Sequence, residues 1–375
     1  MGTLSLGKAP GAFLIPGDMM TVFSRLCALA LGPIFLLVPG VAFAAPIPIK
    51  VAILTTYEHG KDTGDAPGEF QTFAERMQWE KHLHVPGVEH DVLISRDGVM
   101  GVVTGMRGRP RETLAAIIAD PRFDVSHTYW IVAGIAGVDP KAATVGSAAW
   151  SRWVVDGDPV FEMDDREIPA DWPYGIYALG TKHPDQVPVG DAVHSVGLQQ
   201  GSSGMVWKLD SGLVNWAYGL TKSVTLPDNP GLVKARASYA AQGGVQAPPS
   251  VMLGDTLATV RFWHGMKRTQ WARGWVNAWT QGDGHFVMSA CEDQGILDVL
   301  TLYGADHKVD ARRVLVLRGG SNFTEEPVGK SQVLDDFTPG GALAAYESVY
   351  RTASPVVKAL VSGWGTYRDH LPEAR

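Results

Sequence analysis

Cysteine is the scarcest feature of this chain, which contains only two in 375 residues, Cys27 and Cys291. So few cysteines cannot form a disulfide framework, and stability must come from an ordinary apolar core. The sequence has no basic run and a net charge of −7, which argues against nucleic acid as a partner. It also lacks G-x-G-x-x-G, G-x-S-x-G and any cluster with metal-ligand spacing. We therefore expect neither an organic cofactor nor a metal.

The first 44 residues have the character of a targeting segment. The stretch Leu26–Val38 is mostly apolar, and Ala42-Phe43-Ala44 fits the small-x-small pattern of a cleavage site. We predict a signal peptide over residues 1–44, with a natural start at Met19 or Met20 and a periplasmic or secreted product. A membrane anchor is the alternative, but the apolar run is short for the ~20 residues that a span needs. Beyond residue 44 the sequence offers no candidate span.

After residue 44, short apolar segments with strand character alternate with segments of helical spacing. This alternation predicts an α/β fold, and we expect one domain over residues 45–375, a three-layer sandwich with a mixed, mostly parallel sheet. The predicted strands are Ile47–Thr55, Gly101–Thr104, Ser126–Ala133, Thr144–Val155, Val251–Leu253, His285–Ala290 and Val314–Leu317. The predicted helices are Glu69–Leu83, Arg111–Ala119, Val206–Leu220, Gly231–Ala241, Arg268–Thr280, Glu292–Tyr303 and Gly341–Trp364, the last kinked or split at Pro355.

Three predicted strand ends carry residues that suit a polar ligand. Glycine turns bring backbone close to a ligand, and open α/β sheets bind small molecules at the carboxyl ends of their strands. Carboxylate and amide groups at the same edge supply hydrogen bonds. The residues in question are Gly134, Ala136 and Gly137 after the first of these strands, Cys291, Glu292 and Asp293 after the second, and Ser321 and Asn322 after the third.

Five stretches together resemble the purine nucleoside permease family. They are Glu58–Gln71, Tyr129–Pro140, Asp171–Pro184, Gly254–Gly265 and Glu292–Gly295, and the resemblance covers essentially the whole chain after residue 44. That family is in turn similar to the nucleoside phosphorylase and nucleosidase superfamily. The resemblance implies a nucleoside-phosphorylase-like α/β sandwich that binds or cleaves nucleosides.

The resemblance also implies roles for two of the strand ends. Cys291-Glu292 stands where the superfamily has a Met-Glu pair that holds the ribose hydroxyls, and Ser321-Asn322 stands where a Ser-Asp or Ser/Thr-Asn pair meets the purine N7. An ionised glutamate only accepts hydrogen bonds, which suits two hydroxyl donors, whereas an asparagine both donates and accepts. The alternatives are a charge preference at a helix start for Glu292, capping for Asp293 and a turn role for Asn322.

Two groups of charged residues bear on the reaction. Glu58 follows the first strand and is a candidate base for activating water. The acidic loop around it, with Asp62, Asp65 and Glu69, would repel a phosphate. Against this, the arginines in the turn before the second helix, Arg107, Arg109 and Arg111, would attract phosphate as a co-substrate. Hydrolysis and phosphorolysis therefore both stay open.

A last set of candidates would line the ligand. Tyr177, Phe262 and Trp263 offer aromatic faces for stacking on a purine, although aromatic residues are more often part of the core. Asp255 follows a predicted strand and is either a ligand contact or a turn cap. Taken together, the sequence predicts an exported protein that binds purine nucleosides and cleaves the N-glycosidic bond. The alternatives are a non-catalytic binding component of nucleoside uptake, with uptake partners, and a phosphate-dependent phosphorylase. A homo-oligomer also stays open.

Overall fold

The chain folds around a large mixed sheet whose central strands are buried at almost every position. A computed structural model describes residues 45–188, 205–333 and 338–374. The predicted signal peptide lies outside these residues, so its cleavage and the export of the protein stay predictions. The residues described from Ala45 onward form one compact unit.

The strands are short except for two of ten residues each. In chain order they are β1 Ile47–Pro48, β2 Val51–Thr55, β3 Lys81–Leu83, β4 Val92–Ile94, β5 Val99–Val103, β6 Phe123–Asp124, β7 Tyr129–Val138, β8 Ala148–Trp150, β9 Trp153–Asp156, β10 Val160–Glu162, β11 Ile176–Ala178, β12 Val206–Lys208, β13 Val251–Leu253, β14 Asp255–Ala258, β15 Phe286–Ala290 and β16 Val314–Phe323.

The helices differ greatly in length. They are α1 Gln71–Arg76, α2 Arg109–Ala119, α3 Ser211–Thr221, α4 Pro230–Ala237, α5 Met266–Trp279, α6 Asp293–Ala305, α7 Gly341–Ser362 and α8 Trp364–Tyr367. No helix of the described residues is both long enough and apolar enough to cross a bilayer.

The sheet is mixed, because most pairs near its centre are parallel whereas β15 is antiparallel to β7. Its main path runs β12-β9-β14-β15-β7-β2-β5-β4-β3, and β16 pairs with β7 and β8. The pairs β2 with β5 and β7, β16 with β7, and β14 with β9 and β15 are parallel. Every residue of β2 and β5 is buried, which requires cover on both faces. The long helix α7 packs on β16, β7 and β2, and α2 packs against α6. The predicted α/β sandwich with a mixed sheet is confirmed.

Several predicted boundaries were wrong. The segment Glu69–Leu83 is not one helix, because α1 ends at Arg76 and residues 81–83 pair with β4. The segment Val206–Leu220 begins as the edge strand β12, and α3 starts only after Asp210, whose side chain accepts a hydrogen bond from the Leu213 N–H. Thr144–Val155 contains two strands, β8 and β9, and Pro355 lies inside the unbroken α7. Pairing with neighbouring strands decided these cases against local periodicity.

The predicted glycine turn at Gly134 and Gly137 was also wrong, and the strand predicted to end at Leu317 is longer than expected. β7 continues through Gly134 and Gly137 to Val138, and β16 continues through Gly319 and Gly320 to Phe323. The two strands pair along their whole length, with a register shift between Gly320 and Asn322. In each case the glycine segment is extended because its backbone hydrogen-bonds to the other strand.

One edge of β7 is shared by two strands that do not meet. β2 pairs with β7 up to Val132, and β15 pairs with it only at Gly137 and Val138. Between these points the backbone of β7 has no strand partner on this edge. A buried polar backbone must be satisfied in some other way, and the side chains that do so form the candidate site.

Candidate functional site

A single buried arginine lies beside the part of β7 that has no strand partner on one edge, which we call the split of the sheet. Arg318 extends from β16 and has no exposed surface. Its guanidinium forms a salt bridge with Asp293 at the start of α6, donates to Glu292 Oε2 at 3.2 Å, and donates from Nη1 to the carbonyl oxygen of Ile135 at 3.1 Å. The last bond satisfies the open edge of β7. Arginine suits this place because its planar guanidinium serves several acceptors at once.

A second side chain, Glu69, satisfies the other backbone group of the same edge. Its Oε1 accepts a hydrogen bond from the Ile135 N–H at 2.7 Å and lies 3.9 Å from Arg318 Nη1. Its Oε2 accepts from the N–H and the hydroxyl of Thr56 at 2.6 and 2.7 Å. Glu69 therefore closes the gap between the end of β2 and the middle of β7.

These contacts bring three carboxylates, Glu69, Glu292 and Asp293, around one guanidinium. Burial raises the pKa of Glu292 to about 7, although Arg318 opposes the rise. Burial also raises the pKa of Glu69, against the effect of Arg318 and the N–H groups of Ile135 and Thr56. Such groups are candidates for acid–base work, because buried carboxyls with perturbed pKa values often lie at functional sites.

Gly134 is needed for this packing. A Cβ at this position would collide with Arg318 Nη1 and would lie 2.8 Å from Glu69 Oε1. The protein's own ion pair therefore lies close to the backbone at Gly134, and the predicted approach of a ligand to this glycine stays a prediction.

Glu58 does not belong to the cluster. Its carboxylate accepts hydrogen bonds from the backbone N–H groups of His59, Gly68, Phe70 and Gln71, the last at 2.6 Å. Gln71 opens α1, so Glu58 acts as a cap for that helix and fixes the preceding loop. Glu69, rather than Glu58, occupies the buried position at the sheet edge, and the role of Glu58 as a water-activating base stays a prediction.

The predicted amide site lies farther along the same two strands. Asn322 is opposite Gly137 in the pairing of β16 with β7. The Ser321 hydroxyl lies 3.1 Å from the Ala136 carbonyl and 2.9 Å from Asn322 Oδ1, and Asn322 Nδ2 donates to the Phe323 carbonyl at 3.1 Å. The contact of Ser321 with Oδ1 fixes the orientation of the Asn322 amide. Its nitrogen donates one N–H to Phe323, and the other N–H has no intramolecular partner within the described region.

The three arginines of the α2 turn are dispersed rather than gathered. The backbone N–H of Arg107 is 3.3 Å from Glu292 Oε1. The side chain of Arg109 pairs with Glu89 and Glu112 near the surface, and that of Arg111 pairs with Asp298 of α6. The side chains of Arg109 and Arg111 therefore do not converge on one position, and phosphate as a co-substrate stays untested.

Asp255 is not brought to the cluster. It begins β14, at the opposite end from the carboxyl edge where Glu292 follows β15. It is fully buried and accepts hydrogen bonds from the N–H groups of Arg152, Trp153 and His285. Its role is to hold neighbouring segments together, which agrees with the alternative of a structural contact.

Of the predicted aromatic residues, Phe262 and Trp263 lie in the loop after β14, and Tyr177 lies in β11. Trp263 packs on Trp271 and Phe286 in the apolar core. Tyr177 stacks on Phe161, with ring centroids 5.4 Å apart. Phe262 is 75% exposed and is the aromatic ring of this set that solvent reaches most freely.

Cys291 is partly buried directly before Glu292, and burial raises the pKa of its thiol to about 12. It therefore stays protonated and serves as a small packing residue.

Among the residues that the structure describes, no group of three acidic, histidine or cysteine side chains is arranged to hold a metal ion. A cleft of about 390 Å³ lined by Trp207, Asp210 and Arg312 lies at the amino end of β16, away from the cluster.

Sequence reasoning missed the importance of Glu69 and Arg318. Arg318 carried a usable signal, since an arginine inside the apolar strand VLVLRGG must be paired when buried. Glu69 had no signal that separated it from Glu58, because both lie in the same acidic loop.

A comparison with known protein families shows which family this chain belongs to. The family described as purine nucleoside permease (NUP) matches residues 48–372. The chain belongs to the purine nucleoside permease family. The match includes Glu69, Glu292, Arg318 and Asn322, and it confirms the resemblance seen in the sequence motifs.

Two relatives in the family carry the same description. A probable purine nucleoside permease of Schizosaccharomyces pombe is 25% identical over 254 residues, which is 67% of this chain and 72% of the relative. The purine nucleoside permease of Candida albicans is 24% identical over 299 residues, covering 77% and 71%.

Among solved structures, the chain is similar to the 5′-methylthioadenosine/S-adenosylhomocysteine nucleosidase of Helicobacter pylori. The identity is 13% and the TM-score is 0.47, over 83% of this chain and 98% of that chain.

Proposed function

We propose that this purine nucleoside permease family member binds a purine nucleoside at the Glu69–Arg318–Glu292 cluster and hydrolyses its N-glycosidic bond. This proposal rests on one observation. Two carboxyls with raised pKa values, Glu69 and Glu292, are held at fixed positions around the guanidinium of Arg318 in the split of the sheet. Family membership supplies the purine nucleoside as the ligand class.

Glu292 is the proposed ribose contact. Its two oxygens each have one long hydrogen bond, of 3.3 Å from Arg107 and 3.2 Å from Arg318. A carboxylate offers about four acceptor positions, so two remain for vicinal hydroxyls of the sugar. Arg318 fixes the orientation of the carboxylate before the ligand arrives, which reduces the ordering that binding requires.

Glu69 is the proposed base, in place of Glu58. In the reaction the C1′–N9 bond breaks with both electrons going to the purine, and a water oxygen forms the new bond to C1′. The proton of that water goes to Glu69, whose raised pKa suits a general base. Asn322 would hold N7 of the leaving purine. An amide gives up no proton, so the purine anion takes its proton from solvent.

The charge of the cluster favours water over phosphate. Glu69, Glu292 and Asp293 face the single guanidinium of Arg318, so the cluster has surplus negative charge. That surplus stabilises the positive charge that develops on the sugar in the transition state, and it would repel a phosphate dianion. The scattered side chains of Arg109 and Arg111 do not offset it.

The test is to incubate residues 45–375 with inosine, guanosine and adenosine, with and without phosphate, and to measure free base and sugar. We expect free base and ribose without phosphate. A strict phosphate requirement with ribose 1-phosphate as product would reject hydrolysis and favour a phosphorylase.

A second candidate is a nucleoside-binding component of uptake. The relatives named above are described as permeases, and this favours a role in transport. In that case the same cluster binds the nucleoside without turnover. Tight inosine binding by calorimetry with no release of base under any condition would select this candidate.

Both candidates fit a protein that acts outside the cytoplasm, and we propose that residues 1–44 are removed on export. N-terminal sequencing of the protein from a cell that exports it should begin at or near Ala45. An intact segment in a membrane-bound product would instead support an anchor.

A further inference from the structure

A second group of acidic side chains lies beside the cluster and has no part in the proposed hydrolysis. Asp156 ends β9, and its Oδ1 accepts a hydrogen bond from the Asp158 N–H at 2.8 Å. Asp158 Oδ2 accepts from the N–H of Val260 at 2.8 Å and from Gln294 Nε2 at 3.2 Å. These contacts connect the carboxyl ends of β9, β14 and β15, next to Glu292.

Gln294 provides an independent sign that this place receives a ligand. It is 1% exposed, and its Nε2 donates to Asp158 Oδ2 and to the Cys291 carbonyl. Both partners are acceptors, so the orientation of the amide is fixed. Its Oε1 is buried and has no hydrogen-bond partner within the described region. A buried acceptor left unpaired is unfavourable by about 1–3 kcal/mol, so this oxygen favours a ligand that can donate a hydrogen bond.

Asp298 repeats the pattern one helical turn later on the same face of α6. Its Oδ2 accepts from Arg111 Nε at 3.3 Å, whereas its Oδ1 is buried without a partner among the described residues. Arg111 extends along Gly295, where its Nη1 lies 3.2 Å from the position of an added Cβ. Of the three carboxyls Asp156, Asp158 and Asp298, Asp298 pairs with Arg111, so the carboxyls outnumber the one arginine beside them.

We propose that Asp156, Asp158, Gln294 and Asp298 form a second binding subsite that receives a primary ammonium group. This inference deepens the proposed function, because the ammonium would belong to a substituent on the nucleoside held at Glu292. The group matches the unpaired atoms, since an ammonium has three donors and no acceptor. Its charge matches the surplus of carboxyls over Arg111. Burial raises the pKa of Asp156 to about 7, and a bound cation would lower it again.

The positive end of the α6 dipole does not oppose a cation here. Glu292 and Asp293 lie at the start of that helix and offset its partial charge. A neutral hydroxyl would satisfy one acceptor, but it would leave the charge surplus unchanged. The ammonium is therefore the better match to both observations.

The first experiment uses no nucleoside and so does not depend on the proposed function. Residues 45–375 labelled with ¹⁵N-glutamine are titrated with n-butylammonium chloride, and n-butanol and sodium chloride at equal ionic strength serve as controls. The Gln294 side-chain resonance is assigned with a Gln294→Met variant. We expect a saturable shift of this resonance with n-butylammonium alone, lost in Asp158→Asn and kept in Asp164→Asn, an exposed control that pairs with Arg166.

The second experiment measures inosines that carry an aminoethyl arm at the 5′ position, C2 or C8, each against its N-acetyl counterpart. At one of these positions the amine should bind roughly tenfold tighter or more, the effect of a charge-assisted hydrogen bond. The preference should be lost in Asp156→Asn, which keeps the shape of the side chain. Glu292→Gln should weaken both members of a pair equally.

The inference is overturned if n-butylammonium gives no saturable shift, or gives the same shift in Asp158→Asn. A response to calcium or magnesium chloride but not to n-butylammonium would overturn it in favour of a metal ion. If the shift occurs but no nucleoside binds, the subsite stands and the proposed function fails.

Discussion

Replacing Arg318 by methionine tests the central cluster most directly. The substitution keeps much of the side-chain volume but removes the cation that Glu69, Glu292 and Asp293 share. All three carboxyls are buried, and their pairing cannot be replaced by water. Breaking a buried ion pair by removing one partner destabilises a protein by about 3–5 kcal/mol, and we expect a loss of this size at pH 7.5.

The loss of stability in Arg318→Met should become larger as the pH rises. In the folded wild type the pKa of Glu292 is raised from an ordinary 4.5 to about 7, and that of Glu69 is also raised. Stability from such groups is fully present below the unfolded pKa and is lost as the pH rises through the folded pKa. Without Arg318 both folded pKa values rise further, because Arg318 lowers them. The variant should therefore lose more stability than the wild type between pH 5 and pH 8, by up to about 1.4 kcal/mol per pH unit for each extra bound proton.

The assay is urea unfolding of residues 45–375 at pH 5, 6.5 and 8, with the free energy of unfolding taken from midpoint and slope. Arg236→Met is the matched control, because Arg236 is also buried and pairs with one carboxylate, Asp228, at 2.6 Å outside the cluster. Arg236→Met should also lose stability, but its loss should not increase toward pH 8 as it does in Arg318→Met. A deficit of less than about 1 kcal/mol in Arg318→Met, or a deficit equal at pH 5 and pH 8, would refute the electrostatic account of the cluster.

The remaining predictions concern individual positions. Glu69→Gln should abolish release of base from inosine while binding stays measurable, whereas Glu58→Gln should retain turnover and mainly destabilise the loop before α1; the reverse result would restore Glu58 as the base. Glu292→Gln should weaken nucleosides about tenfold or more, the effect of losing a charge-assisted hydrogen bond, and leave free purine unaffected. Equal losses for both in calorimetry would contradict the ribose assignment. Gly134→Ala should displace the Arg318–Glu69 pair and lower both the thermal midpoint and activity, and unchanged values would show that the pair adjusts freely.

The sequence predicted where polar residues follow a strand better than it predicted the backbone conformation at the glycines. Glu292 and Asp293 follow β15, as the sequence predicted, whereas Ser321 and Asn322 lie inside β16 rather than after it. Strand ends can be predicted because apolar runs and the polar residues after them are local features. The prediction that Gly134 and Gly137 form a turn was wrong, because extended backbone at a glycine depends on the strand beside it.

The assignment of Glu58 shows a different limit. Glu58 and Glu69 occupy one acidic loop, and nothing local distinguishes them. Their roles separate only when the loop folds back, so that Glu58 meets the N–H groups at the start of α1 and Glu69 reaches Ile135 on β7. The two contacts join residues 13 and 66 positions apart. Only the second reaches a strand of the sheet.

The sequence by itself determined the family, the α/β class and the residue types available at the carboxyl edge of the sheet, because these follow from motifs and from the order of apolar segments. The tertiary structure alone decided which charges meet. β2 and β15 share one edge of β7 without touching each other, and the open backbone between them requires Arg318 and Glu69 as partners. That requirement arises from long-range pairing of strands and is not encoded in any single segment.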